Sequence, residues 1–291
     1  MAAFLDLLRN NRNYRYTWIG QVVSEVGDHF NNIAVFSLAL RDGGGLVVSG
    51  VMLSRAIPMV LAGPIAGVTL DRLDRKQIMI ASDLVRALVA LAFILTVART
   101  DHWLLYVLSG LLMFASPFFT SGRQAILPTI TTAGELHHAN SLTQTTQWTT
   151  LTIGTMAAGW SVSQLGYEAA FAINAASFAV SAVCISRLRV PRGGFRAEKK
   201  SLTEADVVRP WHEYAEGLRY MRSMPLVFGI ALVGVGWATG GGAAQILFSL
   251  FGEDVFHRGA KGIGIIWGCA GVGLVIGGAV GHWLGKRAGF D

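Results

Sequence analysis

From Leu46 to Leu70 the chain runs 25 residues with Arg55 as its only charge, and from Ile78 to Val97 another 20 residues are interrupted only by Asp83 and Arg86. At about 1.5 Å of rise per helical residue, either run can cross a hydrocarbon core of about 30 Å. Between them lies Asp71-Arg72-Leu73-Asp74-Arg75-Lys76, five charges in six residues, a turn that belongs outside a bilayer interior. The same alternation of apolar run and polar break continues along the chain. It predicts helical spans near 16–40, 46–70, 78–98, 103–121, 139–164, 167–186, 226–251 and 262–284.

Composition agrees with that pattern. Hydrophobic residues make up 52%, charged residues 14%, and mean hydropathy is +0.47, too apolar for a soluble domain that must cover its surface with charge. The net charge of +6 does not indicate nucleic acid, because the basic residues are dealt out between spans rather than gathered on one patch. With a cytoplasmic N-terminus, eighteen basic residues, Arg123 among them, fall in inner segments. Only Arg41, Arg99, Arg258 and Lys261 fall in outer ones, and this asymmetry sets the orientation N-in. Cys184 and Cys269 sit inside apolar helices without ligand-spaced companions, so neither a disulfide framework nor a metal site is expected. Residues 1–13 lack the apolar core and cleavage site of a signal peptide, so the first span is retained.

The largest non-apolar stretch, 187–224, separates six spans (1–186) from two (225–291). Within it Trp211, Tyr214, Leu218 and Met221 recur at spacings of three and four opposite Glu213, Glu216, Arg219 and Arg222. That pattern suits an amphipathic helix at the cytoplasmic interface, or an ordinary solvated linker helix.

The spacing from Gly67 through Asp71, Arg72, Arg75 and Lys76 resembles the loop between helices 2 and 3 of the major facilitator superfamily, with Asp74 where that family usually has glycine. Gly281-His-Trp-Leu-Gly285-Lys286-Arg287 resembles its second copy, as an internally repeated fold requires. Further strings resemble the branch of drug and siderophore exporters related to macrolide efflux pumps and the enterobactin exporter: Asn10 to Gln21 followed by Gly27-Asp28, Asp83-Leu-Val-Arg86, Arg123-Gln-Ala-Ile-Leu-Pro128, and Gly217 to Arg222. The resemblance implies an all-α polytopic fold, with a six-helix N-terminal bundle followed by the first two helices of a second half. On that architecture the chain stops where helix 9 would begin. It also implies a non-enzyme without cofactor, in a bacterial inner membrane, exporting a small organic molecule against protons. A lipid or metabolite carrier of the same fold, or a truncated membrane protein that does not transport, are the competing expectations.

Ionisable groups inside spans are the candidate machinery, because charge in hydrocarbon needs a partner or a cavity. Glu25 and Asp28, three apart on one helix face, lie at a depth comparable with Arg55 on the next span. Two roles are open to these groups: a proton-coupling and substrate site, or a buried ion pair joining helices 1 and 2. Gly27 favours Asp28 as the coupling carboxylate, since a missing side chain leaves room for water or substrate. His29 points away and is read as a packing residue. Asp83 and Arg86 either neutralise each other or send Asp83 to the charged loop. In that loop Asp71, Arg72, Arg75 and Lys76 are expected near a helix end, carboxylates or lipid phosphates, as a conformational latch or a topological anchor, and Gly67 is expected at a close helix approach. The glycines at 264, 268, 273, 277 and 281 suit tight packing of the eighth span rather than a nucleotide loop. Thr143 to Thr149 give the fifth span a polar half, suited to cavity lining or to hydrogen bonds between helices.

Overall fold

The computed structural model describes residues 2–99, 101–189, 194–195 and 219–288, and these are mostly helical, with no strand among them. A short α1 (Ala2–Asn10) precedes α2 (Arg12–Arg72), α3 (Arg75–Ala92, closed by a 3-10 turn Phe93–Thr96), α4 (Trp103–Ile130) and α5 (Ala133–Ser186). After the linker come α6 (Pro225–Leu250, closed by a π-turn Phe251–Val255) and α7 (Gly259–Ala288).

With 61 and 54 residues, α2 and α5 are too long for single spans. Each is broken at one glycine, Gly44 (φ 64, ψ −157) and Gly166 (φ 85, ψ 176), a conformation essentially reserved for glycine. Two predicted span pairs, 16–40 with 46–70 and 139–164 with 167–186, are therefore hairpins joined at a single residue. The fourth span is longer than predicted: α4 continues to Ile130 and carries Arg123 inside the helix, only 6% exposed. Arg123 leaves the set of inner loop charges, which falls to seventeen against four.

Hydrogen bonds show how the segments alternate. At one end Asn11 Nδ2 donates to Ile130 O (2.7 Å), Asn13 Nδ2 donates to Arg189 O (2.9 Å), and Lys76 Nζ donates to Leu188 O (2.9 Å). At the other end Arg41 Nη2 donates to Val97 O (3.4 Å) and its guanidinium lies 5.1 Å from the Tyr167 ring. The helix starts follow from local chemistry. Asn11 caps α2 through Tyr14 N, Asp74 caps α3 through Gln77 N (3.1 Å), and Thr132 with Glu135 forms a capping box on α5.

The chain divides into two compact units, 1–197 with 248–291, and 198–247. In the first, Tyr14, Met79, Phe119, Ile126, Ile185 and Leu188 form a buried cluster. Leu53, Ile57, Val60 and Leu61 remain exposed on the second segment of α2, as expected of surfaces facing lipid rather than water. α7 packs on α5 through glycine: a Cβ on Gly264 would lie 2.5 Å from Thr155 O and 2.9 Å from Gly159 Cα. Gly268 closes on Met156 in the same way, whereas Gly273, Gly277 and Gly281 have no atom within 4 Å of a built Cβ. The expected glycine stripe is thus a contact only in its first half. Gly67 also faces open space, not a close helix approach. Spacing fixes which residues share a helix face, but not whether a neighbour covers that face.

In the second unit the described residues include most of α6, whose Leu226, Ile230, Leu232 and Val233 are exposed. The amphipathic pattern at Trp211, Tyr214 and Leu218 lies outside the described residues.

Candidate functional site

Glu25 sits on the first segment of α2, roughly 20 Å along the helix from Arg12 at about 1.5 Å per residue. Three helices supply its partners. Oε1 accepts from Gln21 Nε2 (2.9 Å), one turn earlier on α2, and from Arg123 Nη1 of α4 (3.4 Å), while Oε2 accepts from Thr150 Oγ1 of α5 (3.0 Å). Gln21 also donates to Thr143 O (3.3 Å). The Glu25 and Arg123 side chains are 20% and 7% exposed. An ion pair that shielded, tied into neutral hydrogen bonds, holds both charges among apolar helices while leaving the carboxylate accessible from one side.

Beside it a cavity of about 180 Å³ lies between α2, α4 and α5, lined by Tyr14, Trp18, Arg123, Gln124, Gln144 and Gln147 among others. The polar stretch of α5 serves both purposes open to it. Thr143, Gln144 and Gln147 line the cavity, while Thr146 Oγ1 accepts from Trp18 Nε1 (2.8 Å) and Thr150 reaches Glu25.

Arg55 stands apart from this junction. Its Nη1 donates to Asn32 Oδ1 (2.8 Å), its guanidinium lies 5.0 Å from the Phe36 ring, and Nε and Nη2 are buried without a partner. It forms no ion pair with either carboxylate. Asp28 is partly exposed and takes part in none of the side-chain hydrogen bonds or close ion pairs among the described residues; Arg86, Arg55, Glu25 and Asp83 are the charges that reach it electrostatically. The room expected at Gly27 is filled, since a Cβ there would collide with the Ser177 side chain and lie 2.8 Å from Asn174 Oδ1. Gly27 lets the second segment of α5 approach α2, so it gives no reason to prefer Asp28. His29 packs against Gly154, where a Cβ would meet its ring carbon at 2.8 Å.

Asp83 and Arg86 pair with each other, both nearly inaccessible. Arg86 is held between the rings of Phe119 (4.6 Å) and Phe178 (4.3 Å), and Asp83 does not reach the charged loop. In that loop Asp71 and Arg72 are exposed and Asp74 caps α3. Arg75 Nη1 donates to Ala125 O (2.9 Å) in the last turns of α4, and Lys76 donates to Leu188 O just beyond α5. Within the protein their partners are backbone carbonyls rather than carboxylates, near helix C-terminal ends that carry partial negative charge.

The residue that sequence reasoning missed is Arg123. The signal available was the apolar Ala125-Ile126-Leu127 after it, which carries the helix onward and draws the arginine into the span. No group of three or more His, Cys, Asp or Glu side chains able to hold a metal occurs among the described residues.

Up-and-down helices of membrane length, an apolar exterior and an ion pair beside a polar cavity together define a polytopic membrane protein of transporter type. The sequence profile of the Major Facilitator Superfamily matches residues 17–290, and the chain belongs to that family. It is 28% identical over 223 residues to the uncharacterized MFS-type transporter YfiS of Bacillus subtilis, covering 76% of this chain and 52% of that protein. To macrolide efflux protein A of Streptococcus pyogenes it is 26% identical over 266 residues, covering 90% and 64%. To the putative bacilysin exporter BacE of B. subtilis it is 27% identical over 269 residues, covering 92% and 65%. The chain thus spans about half to two-thirds of the length of these relatives, and its resemblance is to the exporter branch of the family.

Proposed function

We propose that the chain exports a small organic molecule across a bacterial inner membrane in exchange for protons, with Glu25 as the coupling carboxylate. The observation that carries this reading is the Glu25–Arg123 pair bridging α2 and α4 at the edge of a polar cavity. Protonation of Glu25 cancels one of the two charges, weakens the bridge to α4 and turns Arg123 toward the cavity. Loss of the proton restores the bridge. One titratable group thereby links proton occupancy to the spacing of two spans. Asp28, one turn further along α2, is the second candidate carboxylate, and Arg55 holds positive charge near it.

The test is Glu25→Gln in vesicles carrying the full chain, with a macrolide as probe because related proteins are named for macrolide efflux. Glutamine keeps one acceptor oxygen, offers an NH2 to the Thr150 hydroxyl in place of the other, and cannot titrate. Uphill efflux driven by a pH gradient is expected to fall at least tenfold, while downhill movement persists. Unchanged proton coupling in a Glu25→Gln, Asp28→Asn double variant would remove both carboxylates from the mechanism.

The proposed orientation places the Asn11, Arg75, Thr132 and Arg189 end in the cytoplasm, on the charge asymmetry of the loops. Reporter fusions ending after Arg75, Gly134 and Arg189 should then report the inside, and those after Gly43, Asp101 and Gly166 the outside. The reverse pattern at most of these sites would reject it.

A further inference from the structure

Resting on the transporter reading, we propose that the cavity between α2, α4 and α5 selects neutral, amide-bearing molecules. Gln124, Asn140, Gln144 and Gln147 all line it, and the side chains of these four make no hydrogen bond among the described residues. Their neighbour Gln21 shows what an engaged carboxamide does here, since it is tied to Glu25 and Thr143. Gln124, Asn140 and Gln144 are exposed and Gln147 is half-buried, so their donors and acceptors are not committed to a neighbouring helix. Turned toward a cavity, they are donors and acceptors held for an occupant.

The charge balance narrows the occupant. Arg123 is the one cation among the lining residues and is already paired with Glu25, while no Asp or Glu lines the cavity. A lipophilic cation finds no lining carboxylate, and an anion must compete with Glu25 for Arg123. A primary carboxamide presents one C=O acceptor beside N–H donors in a single plane, the complement of an amide presenting the same pair reversed. Trp18 and Tyr14 complete the wall. The Trp18 indole N–H is spent on Thr146 Oγ1 (2.8 Å) and the Tyr14 hydroxyl on Ala139 O (3.0 Å); the Tyr14 ring is packed in the core, and the half-buried Trp18 ring is left to meet an apolar or aromatic group. At about 180 Å³ the space is below the roughly 300–1,000 Å³ of pockets that enclose whole drug-sized ligands. It takes the amide-bearing end of a larger molecule.

Equilibrium binding of tritiated N-acetylphenylalaninamide to the purified full chain in detergent tests this without any proton gradient, so its outcome is separate from that of Glu25→Gln. Saturable binding is expected. A Gln144→Leu, Gln147→Leu double variant should weaken it at least tenfold, and Thr145→Val, on a residue that does not line the cavity, should leave it unchanged. Should the double variant aggregate, Asn140→Ala at an exposed position carries the same comparison, with a loss of several-fold expected. Absence of saturable binding, affinity unchanged in the variants, or tighter binding of tetraphenylphosphonium, phenylacetate or methyl glucoside would overturn the proposal.

Discussion

Asp83→Leu is expected to destabilise the bundle by about 3–5 kcal/mol, the range for breaking one side of a buried ion pair, and Arg86→Leu by distinctly less. The asymmetry follows from what each change leaves behind. Without Asp83, a guanidinium that cannot shed its proton stays fixed between Phe119 and Phe178. Without Arg86, the stranded carboxyl group can take up a proton and remain as a neutral hydrogen-bonding group. The pair is also imperfectly satisfied, with Arg86 Nε and Asp83 Oδ2 buried and unpartnered. An Asp83→Leu, Arg86→Met double variant should therefore recover most of the loss. Denaturant titration of the purified chain in detergent measures all three. Equal losses for the two single variants, or a double variant worse than either, would show that the pair does not act as described.

Gly264→Val is expected to be the most disruptive substitution on α7, and Gly277→Val nearly silent. The valine at 264 would press on Thr155 O and Gly159 Cα, and Gly159→Val would press on Ala260 O at 2.6 Å. These are backbone atoms, so no rotamer change relieves the overlap and α5 and α7 must separate. The cost should reach or exceed the roughly 1–3 kcal/mol typical of overpacking. At Gly277 no atom lies within 4 Å of the built Cβ, and the change should stay within about 0.5 kcal/mol. The same unfolding measurement decides it, and comparable losses at both positions would mean that α7 meets α5 along its whole length.

The spans were legible because an apolar run of some 20 residues has few alternatives. The Asp83–Arg86 pair was legible because both residues sit on one helix, three apart. The partner of Glu25 was not, since it lies 98 residues away on α4 and was hidden by ending the fourth span too early. Arg55 failed as the partner for a related reason. Equal depth on adjacent helices does not fix rotation about the helix axis, and rotation delivered Arg55 to Asn32 and Phe36. Gly27, Gly67 and Gly277 illustrate the same gap, for one of them is filled by a neighbour and two face open space. The capping residues Asn11, Asp74 and Thr132 act over three residues or fewer, a range at which sequence suffices.

The single-glycine reversals at Gly44 and Gly166 leave almost no slack at that end of the first six spans. Any residue inserted there has to be absorbed by unwinding a helix, because there is no loop to lengthen. Among the described residues of the first six spans, the longer connection on that side is the one between α3 and α4. An epitope tag, a protease site or a labelling cysteine meant to report from that face belongs in the stretch around Asp101. The same economy leaves proteases and antibodies little to grip at the two hairpins.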